Sequence, residues 1–189
     1  MKNIEVTIIG ATPLLMHRFS EEDQAQVSSG TSHAVTRPSP EEAAERAAYR
    51  LHSINGNPGN LCIPARAILA AVRRASSLHK IGRRSAKAIV AASVFVAPME
   101  IDLGVKKYAL DSQSVVIRAT RGRVMRHRPR LDSWKATFTL SYHEALIQDE
   151  SFLRKIVEDA GARVGVLDFR PESGGSYGTF AVSGWKQIK

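Results

Sequence analysis

The sequence predicts an α+β domain built on a split β-α-β sheet. Three observations predict it: period-two apolar alternation near both residues 4–8 and 136–142, two amphipathic stretches at helical spacing, and the order of these along the chain. At 189 residues the chain can bury roughly 70% of the surface its unfolded form exposes, so one domain over 1–189 is the expectation.

Ile4, Val6 and Ile8 alternate with Asn3, Glu5 and Thr7, which predicts a half-buried first strand ended by Ala11-Thr12-Pro13. Leu14-Leu15-Met16 then turns back under the sheet. From Arg18 to about Pro40 the chain is Ser, Glu, Gln, Gly and Thr with few large apolar residues, the start of a flexible insertion over about 18–60. That insertion includes a short Glu/Ala-rich helix at 40–51 and the turn cluster Asn55-Gly56-Asn57-Pro58-Gly59-Asn60. Ile63-Pro64 is expected to open a helix with Ala65, Ile68, Leu69, Val72 and Ser76 on one face, proline suiting the first helical position. Residues 94–101 read as a strand whose interior Pro98 argues for a sheet edge or a bulge. Strands at 115–117 and 135–142 follow; Ala136, Phe138, Leu140 and Tyr142 alternate with Thr137, Thr139 and Ser141. Asp149 caps a helix carrying Phe152, Leu153, Ile156 and Val157, which is expected to end at Gly161, and the last strand runs over 178–185. Strand, helix, strand, strand, helix, strand is the ferredoxin-like (RRM-like) order, in which the first and third strands are central and the second is an edge.

Charge points to the partner. The chain has 27 Lys and Arg against 18 Asp and Glu, a net +9, and a basic excess of this size favours a polyanion. The excess is clustered: residues 118–130 hold Arg118, Arg121, Arg123, Arg126, Arg128, Arg130 and His127 with no acid, on a protruding hairpin or loop. A second cluster comprises Arg66, Arg73, Arg74, Lys80, Arg83, Arg84 and Lys87. Arginine's planar fork suits phosphate oxygens and stacks on bases. Several classes are disfavoured. No apolar run reaches the roughly 20 residues of a membrane span, and Glu5 interrupts any export signal, so the cytoplasm is the expected location. Cys62 is the sole cysteine, which leaves no internal disulfide and no thiolate-rich metal site; no cofactor is expected.

Between the last helix and last strand lies a loop with Gly161, Gly165, Gly174, Gly175 and Gly178 around Arg170. A nucleotide-binding glycine loop follows a strand and opens a helix; this one does the reverse. Together with Thr12-Pro13-Leu14-Leu15-Met16 after the first strand, it resembles the repeat-associated (RAMP) superfamily of CRISPR RNA-binding proteins. In that family the loop before the last strand carries Gly-hydrophobic-Gly, then basic residues and further glycines. The resemblance covers about the first sixteen residues, the helix at 63–76 and the final forty. The chain departs from the family in its shortness for a backbone subunit, and in having one ferredoxin-like unit where the processing endonucleases commonly have two. Arg128-Pro129-Arg130 and the run 168–175 are also similar to uncharacterised phage and prophage proteins.

The resemblance implies non-catalytic binding of single-stranded RNA or DNA, with RNA favoured, by a subunit that self-associates along the strand. Further ribonucleoprotein subunits would be partners, in a bacterial, archaeal or phage-infected cell. Phosphate contacts are expected from the six arginines of the run, with Arg66, Arg73 and Arg74 as a second track. Arg170 and the amides of Gly174 and Gly175 would make an anion-holding turn. Tyr177 and Phe169 flank it as stacking candidates or, for Phe169 above all, as core aromatics. Three alternatives stay open: a phage or prophage single-stranded DNA-binding or recombination protein, a metal-independent endoribonuclease, and a structural assembly protein. The endoribonuclease would draw its acid and base from His17, His33, His127 and His143, and Asp23 is an acid in the excursion; no tight carboxylate constellation or metal motif supports metal-dependent cleavage.

Overall fold

The computed structural model describes residues 1–19, 38–53, 57–116 and 121–189. Arg118, His33, Asp23 and most of the polar excursion lie outside the described residues. Strand β1 (Lys2–Gly10) is followed by the two-residue β2 (Leu14–Leu15). Helix α1 (Pro40–Ala47) starts in a capping box, with Ser39 and Glu42 each bonding the other's backbone N–H. Then come β3 (Cys62–Pro64), α2 (Ala65–Ala75), a small hairpin β4 (Lys80–Ile81) and β5 (Arg84–Ser85), and α3 (Lys87–Ser93). β6 (Val94–Ala97), β7 (Glu100–Asp102), β8 (Ala109–Val116), β9 (Arg123–Leu131) and β10 (Lys135–Tyr142) lead to α4 (Glu150–Asp159) and β11 (Phe180–Ile188).

The main sheet is antiparallel in the order β11-β1-β10-β6, so β1 and β10 are central and β6 is an edge. Its register sets Ile4 beside Leu140, Val6 beside Phe138 and Ile8 beside Ala136. These side chains all point to one face and are buried. There α2 lays Ile68, Ala71 and Val72, and α4 lays Leu153, Ile156 and Val157, so the two helices and the sheet enclose one core. Full burial of a side chain of this size contributes about 1.5–3 kcal/mol. The opposite face carries Glu5, Thr7, Thr137 and Thr139, with the hydroxyls of Thr7 and Thr137 3.1 Å apart.

Four expectations are corrected. Ile63 and Pro64 do not begin the helix: they belong to β3, paired with β7, and Pro64 caps α2 from an extended conformation. An apolar run of this length reads equally as strand or helix. The single strand at 94–101 is two strands in different sheets, separated at Pro98, whose ring supplies no N–H to a ladder. Helix α4 does not end at Gly161; a wider turn over Ala160–Val164 continues it, and Gly165, at φ 74°, terminates it. Gly161 instead sits where a Cβ would come 2.1 Å from the Phe180 carbonyl oxygen. The last strand begins at Phe180 rather than Gly178.

The basic run is itself a strand. β9 pairs along its length with β8 to form a long hairpin, and its base pairs with β2 through Leu14 and Leu131. Period two then puts Arg126, Arg128 and Arg130 on one face of the ribbon and Arg123, Met125 and His127 on the other.

Candidate nucleic-acid interface

The hairpin face bearing Arg126 and Arg128 looks onto the glycine-rich loop. The connection is an ion triad: Arg128 donates through one terminal nitrogen to Asp111 of β8 at 3.0 Å and through the other to Asp168 of the loop at 2.9 Å. Arg128 and Asp111 are each 3% exposed. Arg128 is therefore removed from the predicted phosphate contacts, since a guanidinium whose two terminal nitrogens are held by carboxylates and which is shut from solvent has no face left for a strand.

The loop holds its shape through backbone bonds. The Asp168 N–H donates to the Leu15 carbonyl, Gly178 N–H to Pro13, Val166 N–H to Gly178 and Tyr177 N–H to Phe169. Leu167 and Phe169 have φ of 62° and 48°, a left-handed conformation that side chains with Cβ rarely take. Gly174 and Gly175 are corrected too. Their amides donate to the carbonyls of Pro171 and Arg170, at 2.9 and 3.0 Å, and so are spent inside the turn rather than offered to an anion. What Gly175 provides is close approach, because a Cβ there would fall 1.8 Å from the Phe169 carbonyl oxygen. The turn braces Phe169 outward at 43% exposure, its ring centroid 6.0 Å from that of the half-buried Tyr177. Phe169 is thus no core aromatic.

Three depressions adjoin one another here, and the loop borders two of them. One, of about 820 Å³, is lined by Arg18, Tyr49, Arg50, His52, Cys62 and Arg66 among others. A second, of about 420 Å³, shares Tyr49 and Arg66 with the first and reaches Arg170, His17 and Asp168. The third, of about 610 Å³, shares His17 and Asp168 and continues beneath the hairpin past Arg126, Gln113, Val115 and Phe169. Shared walls set them side by side as one grooved surface, from the loop after α1 to the underside of β8 and β9.

Of the sequence-predicted residues, Arg66 is exposed at the junction of two depressions, and the half-buried Arg126 lines the third in contact with His17. Arg121 and Arg123 are exposed toward the far end of the hairpin. Arg73 donates to the Ala91 carbonyl at 3.2 Å. Arg74 and Arg170 share the Glu172 carboxylate, at 2.6 and 3.0 Å, which ties α2 to the loop. Arg130 is paired with Asp132 at 2.8 Å, and that hydrogen bond holds its guanidinium still more firmly protonated. The second cluster divides: Lys80, Arg83, Arg84 and Lys87 are exposed around the β4–β5 hairpin and are not among the residues lining the groove.

Sequence reasoning missed Tyr49, Arg50, His52 and Asp168. Arg50 is fixed by the Glu45 carboxylate and by the carbonyls of Gly59 and Lys106, with its guanidinium 5.8 Å from the Tyr108 ring centroid. Burial, with Glu100 and Asp102 nearby, pushes the Cys62 thiol up to about 11, so it stays protonated at neutral pH. The one signal that could have raised Asp168 is its position as an acid between two bulky apolar residues inside a glycine-rich loop.

No protein-family model matches this chain, and no curated protein matches it in sequence. Its fold does match solved structures. A chain of the cryo-EM structure of the Type III-B Cmr-beta bound to cognate target RNA aligns with all of this chain at a TM-score of 0.55 and 14% identity. This chain spans 61% of that chain's length. A chain of a Type IV-B CRISPR complex aligns over 96% of this chain and 90% of its own, at a TM-score of 0.50 and 11% identity. The fold, an α+β arrangement of antiparallel sheets, is therefore one that chains of CRISPR complexes adopt. Among the described residues no helix is long and apolar enough to cross a membrane.

Proposed function

We propose that this protein binds single-stranded nucleic acid, RNA by preference, without cleaving it. In this reading it is a backbone-type subunit that associates with its own copies along the strand, in a CRISPR effector-like ribonucleoprotein. The observation that carries the reading is the row of adjoining depressions: arginines on their walls, an outward-braced aromatic in the third, and a basic hairpin beside them. The sheet order β11-β1-β10-β6, with α2 and α4 on one face, supports reading the domain as ferredoxin-like with a RAMP-type loop. The neighbours add to it, since one of them is a chain from an RNA-bound complex.

The division of labour follows from exposure and pairing. Arg66, Arg121, Arg123 and Arg126 supply phosphate contacts, which give affinity without sequence information. Phe169 stacks on a base, worth about 1–3 kcal/mol. Arg128, Arg130 and Arg170 hold the hairpin and loop in shape. Cleavage of RNA through its 2′-hydroxyl needs a base and an acid on opposite sides of one phosphate. Among the described residues, His17 is the one predicted histidine that lines the groove, in contact with Arg126, while His127 is bonded to Ser112 and His143 packs on Phe95 away from it. That spread favours binding over catalysis.

The test is a titration against single-stranded RNA, single-stranded DNA and duplex across salt, with particle mass measured alongside. Length-dependent assembly on RNA is the expected result. Binding of DNA alone would favour the phage or prophage alternative, and failure to bind any strand at low salt would sink the reading.

A further inference from the structure

We infer that the cavity between the hairpin and the glycine-rich loop reads a nucleobase: Phe169 stacks on it and the Asp168 carboxylate accepts the N–H donors of its Watson–Crick edge, selecting guanine against uracil or thymine. The inference rests on the strand-binding reading above and adds to it a base preference at one position.

Asp168 is the reason. It is the acid on the walls of the second and third depressions, whose other charged lining residues are arginines, and there it repels phosphate. As a mere counterion it is superfluous, because Asp111 already sets one buried negative charge against Arg128. Its Oδ2 takes the Arg128 bond at 2.9 Å, while its Oδ1 accepts no hydrogen bond from any described residue. The side chain is 32% exposed and borders two of the three depressions, so the oxygen that no described residue engages is reachable.

The carboxylate is also held still. Arg128 grips it from behind, Asp111 grips Arg128, and Gln113 donates to the other oxygen of Asp111 at 3.0 Å. Its backbone N–H is fixed to Leu15, and the residues on both sides are locked at positive φ. Backbone strain of this kind persists only where the surroundings enforce it, and it concentrates at ligand sites. Its effect here is to present an acceptor and an aromatic ring from adjacent residues, with Val115 and Val116 completing an apolar wall.

Base chemistry then decides the preference. In a single strand the Watson–Crick edge is free. Guanine presents N1–H and N2–H side by side, two donors that one carboxylate can accept together, one on Oδ1 and the other on the second lone pair of the Oδ2 that Arg128 already engages. Cytosine and adenine each offer one amino group beside an acceptor nitrogen. Uracil and thymine offer a single N–H flanked by two carbonyls, which a carboxylate repels. A good bidentate pair discriminates by about 5- to 150-fold.

The test uses the full chain and fluorescence anisotropy with strands of equal length at one salt concentration: oligouridine, oligouridine with spaced guanosines, and matched strands with inosine or adenosine at those positions. Guanosine should bind tightest by at least about 5-fold over uridine, inosine should be intermediate, and Asp168→Asn should erase the advantage while Phe169→Ala weakens all four strands. Asparagine keeps an acceptor for Arg128, so the fold should survive; if it does not, the wild-type series decides alone. Equal affinity for all four strands would overturn the inference and leave strand binding standing. Adenosine equalling guanosine would overturn it too, by assigning the preference to stacking. No binding to any strand would remove both readings.

Discussion

Arg128 and Asp111 form a buried ion pair at 3.0 Å, and the second arm of the same guanidinium holds Asp168 in the glycine-rich loop. Two segments distant in sequence are thereby fastened through one side chain. Removing Arg128 leaves Asp111 charged and unpaired in a site 3% exposed, which costs about 3–5 kcal/mol. Arg128→Ala should lower the urea midpoint accordingly. Arg128→Met with Asp111→Leu should recover much of that loss, because a well-packed apolar pair avoids the desolvation penalty. If Arg128→Ala leaves stability unchanged but weakens binding, the arginine belongs to the strand after all.

Gly174 and Gly175 are neighbours in sequence with different tasks. A Cβ on Gly174 meets nothing within 4 Å, so Gly174→Ala suffers only its left-handed φ of 84°, about 1–2 kcal/mol. A Cβ on Gly175 collides with the Phe169 carbonyl, so Gly175→Ala must move the residue that presents the ring. The expected outcome is that both variants lose stability but only Gly175→Ala also loses affinity for a single strand. Equal affinity losses in the two variants would contradict the bracing role.

The parts of this fold legible in the sequence were those set by local periodicity. Ile4, Val6 and Ile8, and Ala136 through Tyr142, alternate because one face of the sheet is dry, and α2 and α4 show their apolar stripes for the same reason. The ribbon of β8 and β9 was hidden because its inward positions are Arg126, Arg128 and Arg130, which read as solvated charge until their partners are known. Those partners lie 17 and 40 residues away for Arg128, and no local pattern encodes a pairing at that distance. The loop's glycines announced an unusual backbone, but not that the amides of Gly174 and Gly175 would close on Pro171 and Arg170.

Arginines divide by whether a carboxylate already answers them. Arg121 and Arg123 are exposed on the hairpin, whereas Arg170 is bound to Glu172 at 3.0 Å. For a single strand each released counterion contributes about 0.7 to the slope of log affinity against log salt. The double variant Arg121→Ala/Arg123→Ala should therefore flatten that slope by about 1.4 and weaken all sequences alike. Arg170→Ala should change the slope less than the hairpin pair does, since the Glu172 carboxylate that Arg170 shares with Arg74 already offsets part of its charge. A steeper loss for Arg170→Ala than for the hairpin pair would reverse this assignment.

The wall carrying Arg50 has its own pH signature. Burial first, and then the hydrogen bond that Tyr108 donates to Glu45 at 3.0 Å, push the phenol up to about 12. The Arg50 guanidinium, and after it the Tyr108 hydroxyl, hold the Glu45 carboxyl below its ordinary range. The signs differ. The raised phenol gives stability that is complete below its unfolded value of about 10 and fades as pH rises from there toward about 12. The lowered carboxyl gives stability that is present above its unfolded value of about 4.3 and is lost as pH falls through the folded one. The difference between wild-type and Tyr108→Phe phenolate absorbance during an alkaline titration should isolate a group titrating well above the ordinary tyrosine range. Glu45→Gln should bring that midpoint down by removing both the charge and the carboxylate acceptor. A Tyr108 midpoint already near the ordinary value in wild type would mean that α1 is not fastened to the groove through this triad, and the adjoining depression would lose the brace that fixes Arg50.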